Sequence, residues 1–353
     1  MSLNYALIFS VFVSFLTVIS CKKDGAGNTE NAAQAMETYA AEKTPTFAVT
    51  LNGKPLQAMP EPDTIKQNYI KSLDEARAFY LGNLKNVKGY ADYGRKALNL
   101  GYVENALQVL SKGIDQFPNT ADLYYYRGMA SVIGRQFPEA VSDFWKAGKA
   151  IEGQRDAKGI LDKTEEEKKI DATLQYEVYK WMGLAFQCQG DFTNAEKMYE
   201  VCGDFSTNSD LYCISYYWQY QAYMRAGREK DATSLLGSVS PKMYISASTQ
   251  PYLDALLYFK GEKSETDLVN LNEVPKSSIE ANGWSIKAYA IAVKALLEKK
   301  ETRFVEVLDK IVASPFWNQA AFIAAEADHH RLKGFNYEKM KEVKMESDGK
   351  RKG

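Results

Sequence analysis

Few residues in this chain have both the type and the spacing for chemistry. The two histidines, His329 and His330, are adjacent. Neighbours on a helix point about 100° apart, so the pair cannot easily face one metal. There is no H-E-x-x-H, no G-x-S-x-G and no P-loop. Glu165 and Glu166 offer paired carboxylates, but they follow Thr164 and precede Glu167. That run reads as a capping box, with acidic residues placed to favour a helix dipole. No C-x-x-C occurs, so neither a zinc site nor a thioredoxin-like site is supported. We therefore expect no catalytic residue, no metal and no cofactor. The two carboxylates of a glycosidase carry no local signature. An enzyme thus stays as the third reading, behind two non-catalytic ones.

The cysteines are the remaining reactive groups. Cys188, Cys202 and Cys213 lie in the body of the chain, and Cys21 stands near its start. An odd number in the body allows one bridge and one leftover thiol. Cys202 and Cys213 flank a turn near residues 207–208, and an antiparallel hairpin would set them opposite each other. Three buried thiols are the other reading, since free cysteine packs as a small hydrophobe.

Cys21 ends an apolar run from Tyr5 to Ile19, broken only by Ser10, Ser14 and Thr17. The run has the size of a signal-peptide core and is short for a spanning helix. Val18-Ile19-Ser20-Cys21 resembles the bacterial lipobox. The resemblance implies cleavage after Ser20, diacylation of the Cys21 thiol, and an acylated amine. One departure is the lack of Lys or Arg between Met1 and Tyr5. An ordinary cleaved signal with a chance cysteine is the other reading. Lys22 follows the cysteine, where Gram-negative lipoproteins retained at the inner membrane tend to carry Asp. The resemblance thus implies a lipid-anchored protein of the cell envelope, at the outer membrane, on its periplasmic face or at the cell surface.

The 353 residues suffice for one or two domains, and 44 basic residues balance 45 acidic ones. Such a balance leaves no electrostatic footprint for nucleic acid and no polybasic membrane patch. Residues 21–45 have almost nothing to bury and read as a flexible tether. Residues 46–62 read as a short β-hairpin and linker. Phe47, Val49 and Leu51 alternate, Asn52-Gly53 supplies the turn, and Pro55 limits the second arm to an edge. An isolated hairpin is marginal, so this one would have to pack on the body.

Slid against itself by 34, the sequence aligns Gly94 with Gly128, Ala106 with Ala140, Leu110 with Phe144, and Gly113 with Ala147. Gly183, Ala195, Tyr199 and Cys202 repeat the same internal spacings. A period of about 34 with small and large residues at fixed offsets resembles the tetratricopeptide repeat (TPR). The clearest repeats cover 87–240. Their first helices carry Tyr90, Tyr93 and Gly94; Tyr124 and Gly128; Tyr179, Met182 and Gly183; and Tyr216 with Tyr223. The fourth repeat departs from the pattern, with Tyr220 where a small residue belongs. The resemblance implies an all-α fold: a TPR-like helical-hairpin superhelix, or α-solenoid, over 63–335, with the small N-terminal β-hairpin before it and a charged tail over 336–353.

Between the second and third repeats lie 21 extra residues. They read as a loop followed by an overlong helix from about Glu165, with Ile170, Leu174, Val178 and Trp181 at helical spacing. A functional insertion and a plain surface insertion are both open. Upstream, one or two helices are expected over Asp63–Lys85; downstream, helices are expected over Tyr252–Lys260, Thr266–Leu271, Trp284–Glu298, Thr302–Ala313 and Phe316–Leu332.

In the TPR family the concave groove is lined by fixed positions of each first helix. The resemblance places Arg95, Tyr125, Met129, Lys180, Gln187, Tyr217, Gln221 and Met224 there. Tyr125 and Tyr217 would then be exposed, while Tyr90, Tyr124, Tyr179, Tyr199 and Tyr216 would be buried packing. The implied function is a membrane-anchored, non-catalytic scaffold that binds a protein or peptide of the cell envelope in its groove. A glycan-binding or nutrient-uptake accessory lipoprotein is the second reading. With Leu184 at the family's polar ninth position, capture of a C-terminal carboxylate is not expected.

Overall fold

The structure, a computed structural model, describes residues 47–154 and 156–332. The expected leader, lipid-bearing Cys21, tether and charged tail over 336–353 lie outside the described residues. Fifteen helices are found among the described residues: α1 (Asp63–Gly82), α2 (Val87–Asn99), α3 (Val103–Gln116), α4 (Ala121–Ile133), α5 (Phe137–Ala150), α6 (Glu165–Ile170), α7 (Leu174–Gln189), α8 (Phe192–Asp204), α9 (Ser209–Arg225), α10 (Glu229–Gly237), α11 (Gln250–Lys260), α12 (Glu265–Leu268), α13 (Ser278–Leu297), α14 (Glu301–Val312) and α15 (Ala320–Leu332). None of the described helices is long and apolar enough to cross a membrane.

The hairpins form where small residues let two helices approach. Gly94, Gly128 and Gly183 on α2, α4 and α7 face Leu110, Phe144 and Tyr199 on α3, α5 and α8. A Cβ at each glycine would lie only 2.6, 2.6 and 2.5 Å from those side chains. Local sequence sets the ends of the elements. Asn86, Thr173, Asp191 and Asn208 cap α2, α7, α8 and α9 by accepting from backbone N–H groups. Gly190 turns α7 into α8 at a φ of 84°, a left-handed conformation that costs a glycine nothing. Consecutive hairpins then stack, α3 on α4, α5 on α7 and α8 on α9, which buries faces that one hairpin could not cover alone.

The fourth hairpin departs as its sequence does. Tyr220 on α9 stacks on Phe259 of α11, with ring centroids 4.5 Å apart. The expected overlong helix is also broken. Thr164 and Glu167 do form the capping box, with bonds of 3.2 and 2.6 Å. However, α6 ends at Asp171 in a left-handed conformation, and α7 restarts with Thr173 as its cap. A competing cap in mid-segment outweighs the continuous apolar spacing.

Two further expectations are corrected. No strand forms over 47–62. The Asn52-Gly53 turn closes, but Val49 and Pro55 make a single antiparallel bridge, flanked by bonds from the Thr50 N–H to the Lys54 carbonyl and from the Leu56 N–H to the Ala48 carbonyl. The segment does pack on the body. Leu51 N–H donates to Glu326 at 2.9 Å, and the indole N–H of Trp317 donates to the Gln57 carbonyl at 2.8 Å. Cys202 and Cys213 are not bridged; both are free and buried, as is Cys188. The Cys202 thiol points to the Tyr176 carbonyl, 3.6 Å away, and Cys213 to Met243 Sδ at 3.9 Å. The two side chains thus serve different packing contacts.

The C-terminal helices decide the shape of the concave side. α15 packs on α4, α7, α13 and α14, so it lies along the first helices of the repeats. Two buried ion pairs seat it. Arg135, in the α4–α5 turn, donates to Glu326 at 2.6 and 2.8 Å. Arg225, the last residue of α9, grips Asp328 with bonds of 2.9 and 2.6 Å. Tyr289 of α13 adds a hydroxyl bond to Asp328 at 2.7 Å, and Arg331 also pairs with it. Burial works against the Asp328 charge, but Arg225 and Arg331 outweigh it and hold its pKa at about 2.

Candidate functional site

Because α13 and α15 cover part of the concave side, the expected continuous groove is reduced to a cleft. The eight groove residues separate accordingly. Arg95, Tyr125, Met129 and Lys180 come together at this cleft. Gln187, Tyr217 and Gln221 are fully buried. The Tyr217 hydroxyl donates to the Ile286 carbonyl of α13 at 2.8 Å, and its ring meets Trp218, Tyr252 and Phe259. Gln187 accepts from Tyr199, and Gln221 donates to the Tyr217 carbonyl. Met224 is half-buried and does not line the cleft.

The expected exposure pattern of the tyrosines is therefore overturned. Tyr125 is 7% exposed and Tyr217 is 0% exposed. Tyr90 and Tyr199 are buried as expected, while Tyr124, Tyr179 and Tyr216 are only half-buried. Tyr217 is covered by α11 and α13, outside the repeats, whereas Tyr125 is covered within them by Tyr126, Phe144 and Glu177.

The cleft has two connected lobes. Arg95, Tyr125, Tyr126, Met129, Glu167, Lys180 and Trp181 line both. The first lobe, of about 410 Å³, is completed by Lys96 and Asn99 of α2, Trp218 of α9, Tyr252 of α11, Asn282 of α13, and Asn318 and Gln319 before α15. The second, of about 320 Å³, is walled by Gly159, Leu161, Ile170, Ala172 and Leu174. The 21-residue insertion thus forms one side of the site. It is tied down by the Ile160 N–H donating to Asp122 at 2.8 Å, and by Arg95 reaching the Asp162 carbonyl at 3.3 Å.

Charges inside the cleft are mostly paired. Lys180 bonds both Glu177 oxygens, at 2.8 and 2.7 Å, and the Tyr125 hydroxyl donates to the same carboxylate at 3.1 Å. Lys180 also lies 6.0 Å from the centre of the Trp181 ring. Arg95 pairs with Asp92 at 2.9 Å and approaches Glu167 at 3.9 Å. Burial opposes the Arg95 charge, but Tyr126, Asp92 and Glu167 prevail and its pKa is raised. Burial pushes the Tyr125 and Tyr126 hydroxyls well above their ordinary range, so both stay neutral donors. The Asp122 carboxyl is raised by burial, and the Ile160 N–H offsets this in part. Lys96 makes no ion pair among the described residues, although it lines the cleft.

The Asp122, Glu167 and Glu177 carboxylates each accept a hydrogen bond from a neighbour, and no cluster of metal-ligating side chains occurs among the described residues. The cleft presents aromatic faces, side-chain amides and the Lys96 ammonium. Sequence reasoning missed Tyr126, Trp181, Lys96, Asn99, Asn282, Asn318 and Gln319. Tyr126 directly follows an identified groove position, a signal that could have found it. Asn282, Asn318 and Gln319 come from outside the repeats, where no period points to them.

No known family model matches the chain, and no curated protein matches it significantly. Among solved structures it is similar to one described as the crystal structure of MamA protein. That similarity has 14% identity, covers 57% of this chain and 89% of the other, and has a TM-score of 0.38. Likeness that slight does not bear on function.

Proposed function

We propose that this protein is a non-catalytic binding scaffold, built from TPR-like hairpins, that holds a short segment of a protein partner in the cleft between α2, α4, α7 and the insertion. One observation carries the reading: Arg95, Tyr125, Met129 and Lys180, drawn from three successive hairpins, converge on one cleft. The covered part of the groove limits the segment to a few residues, because Tyr217, Gln187 and Gln221 are unavailable to a partner. With Cys21 diacylated, the scaffold would be anchored in the cell envelope, at the outer membrane, through its N-terminus.

Asn99 is exposed at the rim and suits a photo-crosslinker. Crosslinking in intact cells should capture a partner. Trp181→Ala combined with Lys180→Ala should abolish the capture without altering the circular dichroism spectrum. Unchanged capture in that folded double variant would sink the reading. A glycan-binding role is the second reading. It is favoured by Trp181, Trp218, Tyr126 and Tyr252 lying beside the amides of Asn99, Asn282, Asn318 and Gln319, since aromatic faces and planar amides suit sugar rings and hydroxyl pairs. Binding to a soluble glycan array, lost with Trp181→Ala, would favour it.

A further inference from the structure

Residues 47–61 belong to no repeat, yet they touch each part that closes the concave side. Phe47 meets the Tyr102 ring edge-on at the start of α3, with centroids 5.6 Å apart. His330 Nδ1 of α15 meets the Asn52 side-chain oxygen at 2.9 Å, beside the Leu51 bond to Glu326. Met59 and Trp317 pack over Gly101 in the α2–α3 turn, where a Cβ would lie 3.6 and 2.8 Å from them. Glu61 accepts the Ser278 N–H with both carboxylate oxygens, at 3.1 and 3.2 Å. Ser278 opens α13. Glu61 therefore satisfies an orphan helix N–H and sets a negative charge at the positive end of the helix dipole.

These ties sit next to the cleft. Ser278 is four residues before Asn282, and Trp317, whose indole is bonded to Gln57, directly precedes Asn318 and Gln319. α13 and α15 pack on each other, and Tyr289 joins them at Asp328, so the two form one cover. Residues 47–61 bury little of themselves: only Ala48, Met59 and Glu61 are buried. A segment held by a few hydrogen bonds and little apolar area can detach while the core stays folded.

We infer that residues 47–61 are a latch that locks α13 and α15 over the concave side. Its release opens the cleft towards the groove face of the repeats, beginning with Tyr217, whose hydroxyl donates to Ile286 of α13. Latching is independent of what the cleft binds.

Cys188 reports the state of the cover. It is 2% exposed, and Arg331 of α15 donates to its carbonyl at 2.6 Å. Arg331, Asp328, Arg135 and Glu326, the charges that seat α15, also act on its thiol. Cys202, whose thiol points to the Tyr176 carbonyl inside the repeats, is the control. The full chain is incubated at length with excess iodoacetamide, and labelling at each cysteine is followed by peptide mass spectrometry. Asn52→Ala and Glu61→Ala should each raise the Cys188 rate roughly fivefold or more, since each removes a hydrogen bond that holds the cover shut. Cys202 should not change. Asn52→Asp keeps the oxygen that His330 meets and should label like the wild type. Amide hydrogen exchange should quicken in α13 and α15 of the alanine variants, while α4 and α5 stay protected. Unchanged Cys188 labelling in both alanine variants overturns the latch. So does a joint rise at Cys188 and Cys202, which marks global loosening, or an Asn52→Asp variant that labels as fast as Asn52→Ala.

Discussion

Asp328 offers the sharpest test of how the concave side is closed. Its carboxylate is 3% exposed and is shared by Arg225, Tyr289 and Arg331. Arg225 is itself only 6% exposed in its side chain. Asp328→Ala would strand a buried guanidinium, and breaking such a pair costs about 3–5 kcal/mol. At roughly 2–4 °C per kcal/mol for a domain of this size, Tm should fall by about 6–20 °C. Asp328→Asn keeps shape and part of the hydrogen bonding but loses the charge. The carboxyl pKa falls from 3.8 to about 2 on folding, so the charge itself is worth about 2 kcal/mol. Because the folded-state pKa is depressed, that contribution is fully present above the unfolded value and is lost as pH falls through the folded one. The stability gap between wild type and Asp328→Asn should thus be constant above about pH 5, where the unfolded-state carboxyl is also ionised, and close as pH falls towards 2. Urea unfolding followed by circular dichroism at several pH values measures it. A gap below about 1 kcal/mol at pH 7, or one that does not narrow in acid, would refute the view of α15 as an ionically seated cover.

Further outcomes follow from the same contacts. Gly94→Ala, Gly128→Ala and Gly183→Ala should each destabilise the protein by about 1–3 kcal/mol in thermal melts, because the added Cβ meets Leu110, Phe144 or Tyr199 within 2.6 Å; on helix propensity alone each would stabilise by about 1 kcal/mol. Cys188, Cys202 and Cys213 should not react with a thiol reagent at pH 8 in the folded protein and should all react in guanidinium; burial holds Cys188 and Cys213 at a pKa of about 12. Cys21→Ala should move the protein from the detergent phase to the aqueous phase, and normal partitioning of that variant would end the lipoprotein reading.

The sequence alone determined the hairpins. Glycine and its large partner stand 16 residues apart in α2–α3, α4–α5 and α7–α8, and caps such as Asn86 and Asn208 act within three residues. Contacts that short leave a period, and a period can be read. Four of the eight expected groove residues, Arg95, Tyr125, Met129 and Lys180, line the cleft, because they occupy repeating positions. Only the tertiary structure decided which of those positions meet solvent. Tyr217, Gln187 and Gln221 look like groove residues on the repeat pattern, but α13 and α15 bury them. The bonds that seat those helices join residues far apart: Arg225 to Asp328 across 103 positions, Arg135 to Glu326 across 191, and Leu51 to Glu326 across 275. Each pairing occurs once, so it has no periodicity. Its partners are identified only when folding brings two buried charges within hydrogen-bonding distance, where neither could remain unpaired.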